Sequence, residues 1–244
     1  MDILSRVLGN DVSVWGRNAI AGVGWEELYA YDQALAWETI LASAAKVDIT
    51  SSSTADTNTA GTGARTIRLV GLDANYRLQW EDIALNGQTI VVSVLSYLRL
   101  FAAEVLTVGS GGSNAGDIHI VKTGTGGSYT AGVPGTLTSA LCKMLIGVNS
   151  AMSGIFTAPA GEAYQAMSLA VGVRTQAAII ALAFYPVGGP LITPYQFEFA
   201  AGAAAVLNLE RFRITLKEKQ DLRMRVQGAA ASAIAQATLQ LRKA

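Results

Sequence analysis

The sequence is poor in the residue types on which most enzyme and metal sites depend. It has one cysteine, Cys142, and one histidine, His119, among its 244 residues. A single cysteine allows no intramolecular disulfide, and such a residue is usually a small buried hydrophobe. A zinc site would need further ligands from distant segments, and a serine-hydrolase triad would depend on His119 alone. We therefore predict no catalytic, cofactor-binding or metal-binding residues, and we expect His119 to be a half-exposed strand residue.

Charged residues are scarce as well. They make up 15% of the chain, whereas about 25% is usual in soluble domains. The formal net charge is zero, which argues against nucleic acid or an anionic membrane as the main partner. The mean hydropathy is +0.34. A chain with so little charge exposes much uncharged surface, which other subunits normally cover. The composition therefore predicts a homo-oligomer or another assembled state.

Long hydrophobic runs are also absent. The most apolar stretch, "AMSLAVGVRTQAAIIALAFYPVGG", is interrupted by Arg174 and Gln176. A membrane-spanning helix needs about 20 residues with few or no charges. The N-terminus lacks a basic region followed by a continuous apolar one, which is the pattern of a signal peptide. We expect no membrane span and no signal peptide.

A glycine-rich stretch, "GSGGSNAGDIHI" (109–120), is the one segment that resembles a ligand loop. A phosphate loop requires a glycine followed by lysine, and no glycine in the chain is followed by lysine. The dinucleotide pattern fails too, because Ser113 and Asn114 occupy positions that need glycine. We predict instead a tight connection between a strand that ends near Val108 and a strand that begins near Asp117.

Short apolar or alternating runs, separated by Gly, Ser, Thr, Asn and Pro clusters, dominate the chain from residue 40 onward. Such runs predict an all-β protein of antiparallel, jelly-roll-like β-sandwich modules. The predicted strands lie near residues 46–51, 65–71, 76–85, 89–95, 97–108, 117–122, 141–148, 152–157, 164–174, 177–185, 195–200, 205–216, 222–227 and 234–242.

The predicted domains are separated by a second glycine-rich span, "GTGGSYTAGVPG". We expect a first β-sandwich over 40–125, a linker over 126–136 and a second β-sandwich over 137–244. A single larger sandwich, with this span as a surface loop, is the alternative. Residues 1–39 are predicted to form an irregular N-terminal arm, with a short helix around Glu26 to Leu35. The arm either packs onto a neighbouring subunit or contributes a strand and loop to the first domain; it contains three tryptophans: Trp15, Trp25 and Trp37.

Pure alternation is clearest near the C-terminus, where two runs predict an antiparallel hairpin. One face of this hairpin is apolar, with Phe212, Ile214, Leu216, Leu222, Met224 and Val226. The other face is basic, with Arg211, Arg213, Lys217, Lys219, Arg223 and Arg225. Zero net charge and the lack of interleaved aromatics favour a solvated strand face over a nucleic-acid patch.

Several motifs resemble those of tailed-phage virion proteins. They are "GTGARTI" at 61–67, "GLDANY" at 71–76, "LNG" at 85–87, "YLR" at 97–99 and "GSGGSNAGDI" at 109–118. Weaker similarity continues through "FTAPAGEAYQA" at 156–166 and "LKEKQDLRMRVQ" at 216–227. The resemblance covers residues 40–244, and its first half is the more specific.

The resemblance implies a structural component of the virion without enzymatic activity. The favoured role is a capsid decoration (cement) protein, bound as a trimer outside the lattice of the major capsid protein. A tail, neck or fibre component is the alternative. Such a component could carry a carbohydrate-binding β-sandwich, for which exposed aromatics would be needed; the candidates are Tyr129 and Tyr195.

Overall fold

The computed structural model describes residues 10–28, 42–186 and 189–244. In these residues the regular elements are twenty β-strands and two single-turn 3-10 segments, and every strand pairing is antiparallel. The predicted all-β, antiparallel fold class is therefore confirmed. No helix in this part of the chain is long and apolar enough to span a membrane.

The strands follow one another along two stretches of chain. The strands up to Met152 are β1 Asp11–Ala21, β2 Glu26–Glu27, β3 Val47–Ser51, β4 Ala64–Leu72, β5 Leu78–Ala84, β6 Val91–Val92, β7 Arg99–Val108, β8 Ile118–Lys122, β9 Tyr129–Thr130, β10 Val133–Pro134, β11 Ala140–Met144 and β12 Ser150–Met152. The remaining strands are β13 Ile155–Thr157, β14 Tyr164–Val173, β15 Ala178–Tyr185, β16 Ile192–Phe199, β17 Ala204–Asn208, β18 Thr215–Leu216, β19 Asp221–Gly228 and β20 Ala233–Lys243.

The chain forms two compact units, one of which is inserted in the sequence of the other. The inserted unit is Leu35–Met152, and the discontinuous unit combines Met1–Ala34 with Ser153–Ala244. In the inserted unit, one sheet has the order β11-β8-β3-β6 and the other β12-β7-β4-β5. Its core is formed by apolar residues from both sheets, such as Ile49, Ile67, Leu69, Ile118 and Ile120, which are fully buried.

The discontinuous unit also has two sheets. One has the order β1-β20-β14-β17, with β18 pairing β14; the other has the order β13-β19-β15-β16, with β2 pairing β19. Alternate residues of β14 and β20 are buried, including Leu169, Leu239 and Leu241, as are Leu182 and Met224 from the second sheet. Alternation in these strands follows the period of two that places every second side chain in the core.

The N-terminal segment differs from the predicted arm. Strand β1 pairs with β20 from Asp11 through Asn18, so it is an integral strand of the discontinuous unit. The predicted helix is wrong at its start, because Glu26 and Glu27 form β2; the rest of that segment lies outside the described residues. Two residues on the buried face of β1 obscure its period. One is Gly16, where a Cβ would lie 2.1 Å from the Leu28 carbonyl oxygen, and the other is the fully buried Asn18.

The glycine-rich span at 126–136 does not separate the two units, which divide at Met152/Ser153. It contains the small hairpin of β9 and β10, which belongs to the inserted unit. Gly132, at φ +76°, accepts a hydrogen bond of 2.7 Å from the hydroxyl of Thr50 on β3. A Cβ at Gly132 would lie 1.9 Å from the Ser51 carbonyl oxygen. Glycine at this position therefore allows close contact with the sheet, and the glycine content is not a sign of a linker.

The predicted basic hairpin near the C-terminus is also corrected. Residues Glu210–Phe212 form a 3-10 turn, Arg213 adopts a left-handed conformation with φ +49°, and only Thr215–Leu216 are strand. Strand β19 lies inside its sheet, and Arg223 is 1% exposed. The Arg223 guanidinium lies 3.5 Å from the Glu27 carboxylate and 5.2 Å from the centre of the Tyr185 ring. The face that alternation predicted to be wet is therefore covered at Arg223.

Candidate contact surface

The buried carboxylate of Asp56 connects several of the recognisable motifs of the inserted unit. Asp56 is fully buried. Its Oδ1 accepts hydrogen bonds of 2.7 Å from the backbone N–H groups of Ala64 and Ala115. Its Oδ2 accepts 2.6 Å from the Ser51 hydroxyl and 2.9 Å from the Gly116 N–H. The glycine-rich loop therefore does surround an anion, but the anion is a side chain of the protein itself.

Two glycines of these motifs are required by close packing around Asp56. A Cβ at Gly63 would lie 2.1 Å from Asp56 Oδ1, and a Cβ at Gly116 would lie 2.6 Å from the Ser53 backbone nitrogen. Either substitution would force backbone or a buried carboxylate to move, which close-packed interiors do not allow cheaply. The recurring glycines of "GTGARTI" and "GSGGSNAGDI" therefore have a structural explanation.

The same loop fixes a turn at residues 145–149, which we call the apolar turn. Asn114 and Asn149 exchange hydrogen bonds, each backbone N–H donating to the other's Oδ1 at 2.9 and 3.0 Å. Asn114 Nδ2 also donates to the carbonyl oxygens of Leu145 and Gly116, at 2.8 and 2.7 Å. Ile146 N–H donates to Asp117 Oδ1 at 2.9 Å. The turn is thus fixed by side chains of the "GSGGSNAGDI" motif.

The apolar turn displays large hydrophobic side chains to solvent. Leu145 is 43% exposed, Ile146 62% and Val148 53%. Monomeric soluble proteins seldom expose contiguous apolar patches without a function for them. A well-fixed turn loses little conformational entropy on association, so preorganisation of this kind favours binding. The apolar turn is therefore the best candidate for a contact with another protein.

A second exposed apolar run lies at the edge of the inserted unit. Ile90, Val92 and Val94 alternate with less exposed residues across β6, the edge strand of its sheet. Buried Ser93 points the other way, and its hydroxyl accepts a hydrogen bond of 2.9 Å from the Val47 N–H. The edge strand therefore presents one apolar face outward, as would a surface that another subunit covers.

The two residues with chemical potential are both buried. His119 is 2% exposed, so the expectation of a half-exposed histidine is wrong. Its register neighbour on β3 is Thr50, which the β9–β10 hairpin contacts through Gly132. Burial, with the charge of Lys143, lowers the pKa of His119 to about 4, although Asp117 opposes this. Burial raises the pKa of the Cys142 thiol to about 12, so a thiolate nucleophile is not available there near neutral pH.

Neither tyrosine proposed for carbohydrate stacking forms an open platform. The Tyr129 hydroxyl donates to Asp48 Oδ2 at 3.4 Å, and burial together with Asp48 raises its pKa to about 12. Tyr195 is half-buried and packs edge-on against Phe184 and Phe212. Within the described ranges, no group of three or more His, Cys, Asp or Glu side chains is placed to hold a metal ion.

Asp56 and Asn114 are the residues that sequence reasoning missed. Nothing in periodicity indicates a buried aspartate in the polar run "SSSTADTNT". The available signal was the proximity of small and hydroxyl residues to the motifs themselves, since such residues often satisfy backbone groups in loops.

Comparison with known proteins gives little similarity. No family model and no curated protein matches the chain. The crystal structure of the T13 viral particle of IBDV is 9% identical over 95% of this chain and 68% of that chain, with a TM-score of 0.22. The VP2 subviral particle of infectious bursal disease virus is 9% identical over 98% of this chain and 76% of that chain, with a TM-score of 0.21. These TM-scores are too low to assign a shared fold or a function.

Proposed function

We propose that this chain is a non-enzymatic structural protein of a tailed-phage virion, and specifically a capsid decoration protein. The observation that carries the proposal is the apolar turn, in which Leu145, Ile146 and Val148 are exposed on a hydrogen-bonded support. The support is formed by the same motif that resembles virion proteins. The turn is placed to bind the major capsid protein.

The chemistry of the chain is consistent with this role. A decoration protein stabilises a shell by binding only the assembled state, which requires contact area and no reactive group. The low content of charged residues and the apolar faces at the turn and at β6 supply such area. The two residues best suited to chemistry, His119 and Cys142, are buried.

Cryo-electron microscopy of the virion that contains this protein tests the proposal. We expect density for the chain on the outer surface of the head, with residues 145–149 against the capsid lattice. Density confined to the tail, neck or fibres would overturn the decoration role and support the alternative location.

A binding assay with matched variants tests the turn itself. Ile146→Ser should weaken binding to heads that lack the protein by about tenfold or more, as expected for a central apolar contact. Val206→Ser is the control, because Val206 is 75% exposed but belongs to the discontinuous unit. Equal binding by the two variants would contradict a contact through the turn.

A further inference from the structure

The discontinuous unit is open along one side. Strand β16 is the outermost strand of one sheet, and β17 is the outermost strand of the other. A short turn at residues 200–203 connects them. Among the described strands, none pairs with the free edge of either one. A free edge presents unpaired backbone N–H and C=O groups, which makes it a template for another strand.

The core-facing side of β16 is incompletely covered. Phe197 and Tyr195 lie beside Ile180 and Leu182 in register. Ile180 and Leu182 are fully buried, but both aromatic residues remain half-exposed. Phe212 packs edge-on against them, with ring centres 6.3 Å from Tyr195 and 6.5 Å from Phe197, and it is itself 52% exposed. We call Tyr195, Phe197 and Phe212 the aromatic edge.

Strand β16 has few of the features that prevent edge pairing. Natural edge strands are typically short, or carry lysine, proline or inward charges. β16 has eight residues and contains neither lysine nor arginine. Pro194 lies near its beginning, and Glu198 is its single charged residue. A strand with these properties is suited to pairing once its aromatic side can be covered.

The strand is complementary to itself. In an antiparallel pair centred on Gln196, Tyr195 of one copy lies opposite Phe197 of the other, and Glu198 lies opposite Pro194. This register therefore forms aromatic cross-strand pairs and places no like charges opposite each other. Symmetric pairing satisfies both free edges in one closed contact, whereas a different partner would need its own complementary strand.

We propose that two copies of this chain pair edge to edge through β16, antiparallel about a two-fold axis at Gln196. The five-stranded sheet of each copy then continues into that of the other, and the aromatic edges cover one another. The proposal stands apart from the capsid role, because it concerns the other unit and requires no virion. It predicts an even number of copies, unlike the trimer that the resemblance implies.

Disulfide trapping of the full-length chain tests the register. Gln196→Cys places two cysteines opposite each other across the axis, where the Cα separation of about 4.5–5.5 Å suits a disulfide. We expect mild oxidation to convert most of this variant to a covalent dimer. Gln236→Cys is the matched control, because Gln236 is exposed on the interior strand β20. Buried Cys142 leaves the background low.

Sedimentation analysis supplies a second readout. The unmodified protein should be a dimer, and Gln196→Lys should raise its dissociation constant about tenfold or more by opposing two like charges. Because Gln196 is exposed, the variant should retain the unfolding temperature of the isolated unit. A monomeric or trimeric wild type, or cross-linking no better than that of Gln236→Cys, would overturn the pairing. Binding of Gln196→Lys to phage heads reports separately on the capsid role.

Discussion

At the scale of single residues, the chain uses its few charges as internal structural groups. Asp56 accepts hydrogen bonds from three backbone N–H groups and one hydroxyl. Such charge-assisted bonds are roughly twice as strong as neutral ones, and a buried charge without them would be costly. The loops of the inserted unit therefore depend on one carboxylate.

Replacing this carboxylate tests its role. Asp56→Asn keeps the shape of the side chain but turns one acceptor into a donor facing backbone N–H groups. We expect the free energy of unfolding to fall by about 3 kcal/mol or more, because several buried donors lose their acceptor. Urea denaturation would measure the change. Asp73→Asn is the control, because Asp73 accepts two backbone N–H bonds in an exposed turn; an equal loss in both variants would contradict the assignment.

The buried histidine gives a pH dependence with a definite sign. The pKa of His119 is about 4 in the folded protein, below its ordinary value of 6.5, chiefly because burial disfavours the charged ring. Between these values the unfolded chain binds a proton that the folded chain does not. The free energy of unfolding should therefore be highest above about pH 6.5 and should fall by about 2 kcal/mol on acidification to about pH 4.5.

His119→Gln should remove that slope, as measured by urea denaturation across the same pH range. Neighbouring Asp117 does not titrate in this window. Burial raises its pKa, but the hydrogen bond from Lys143 and the N–H of Ile146 lower it more, so it stays below its ordinary range. A variant with the same slope as the wild type would refute the contribution of His119.

At the scale of elements, strand β19 shows what periodicity misses. Its alternation correctly predicts a strand, and Leu222, Met224 and Val226 are buried as expected. The basic positions differ because β2 pairs with β19 at Val226 and Arg225. Glu27 on β2 thereby comes within 3.5 Å of Arg223 and 3.4 Å of Arg225. A two-residue strand distant in sequence decides whether this face is wet.

Removing Glu27 tests the contribution of this contact. Glu27→Gln removes a negative charge beside the buried guanidinium of Arg223, and breaking a buried ion pair costs about 3–5 kcal/mol. We expect a loss of about 3 kcal/mol in the free energy of unfolding, measured by chemical denaturation. Glu210→Gln, at an exposed 3-10 turn, should change it by less than about 0.5 kcal/mol. Comparable losses would show that the pair adds little.

At the scale of the whole chain, the order of pairing sets the limits of the units. Strands β11 and β12, which follow the glycine-rich span, pair with β8 and β7 of the inserted unit. Strand β1 pairs with β20 near the opposite end of the sequence. Contacts this distant in sequence carry no local signal, since loop closure depends only weakly on length.

Fragments of the chain distinguish the structural division from the sequence-based one. A fragment of residues 35–152 contains every pairing partner of its sheets, so we expect it to fold with a cooperative thermal transition. Residues 40–125 lack β11 and β12, and residues 137–244 lack β1, so neither should show a sharp transition by calorimetry. Cooperative unfolding of 40–125 would instead support the boundary expected from sequence.

The sequence by itself determined the all-β class, the antiparallel strands and the turn character of 109–117, because alternation and turn chemistry are local properties. It also restricted the chemistry, through one histidine and one cysteine. Only the tertiary structure decided that Asp56 is enclosed by three loops, that Arg223 is buried and that Leu145, Ile146 and Val148 are exposed together. These outcomes depend on which segments meet across long stretches of chain, and a period of two shows which residues share a face without showing what covers it.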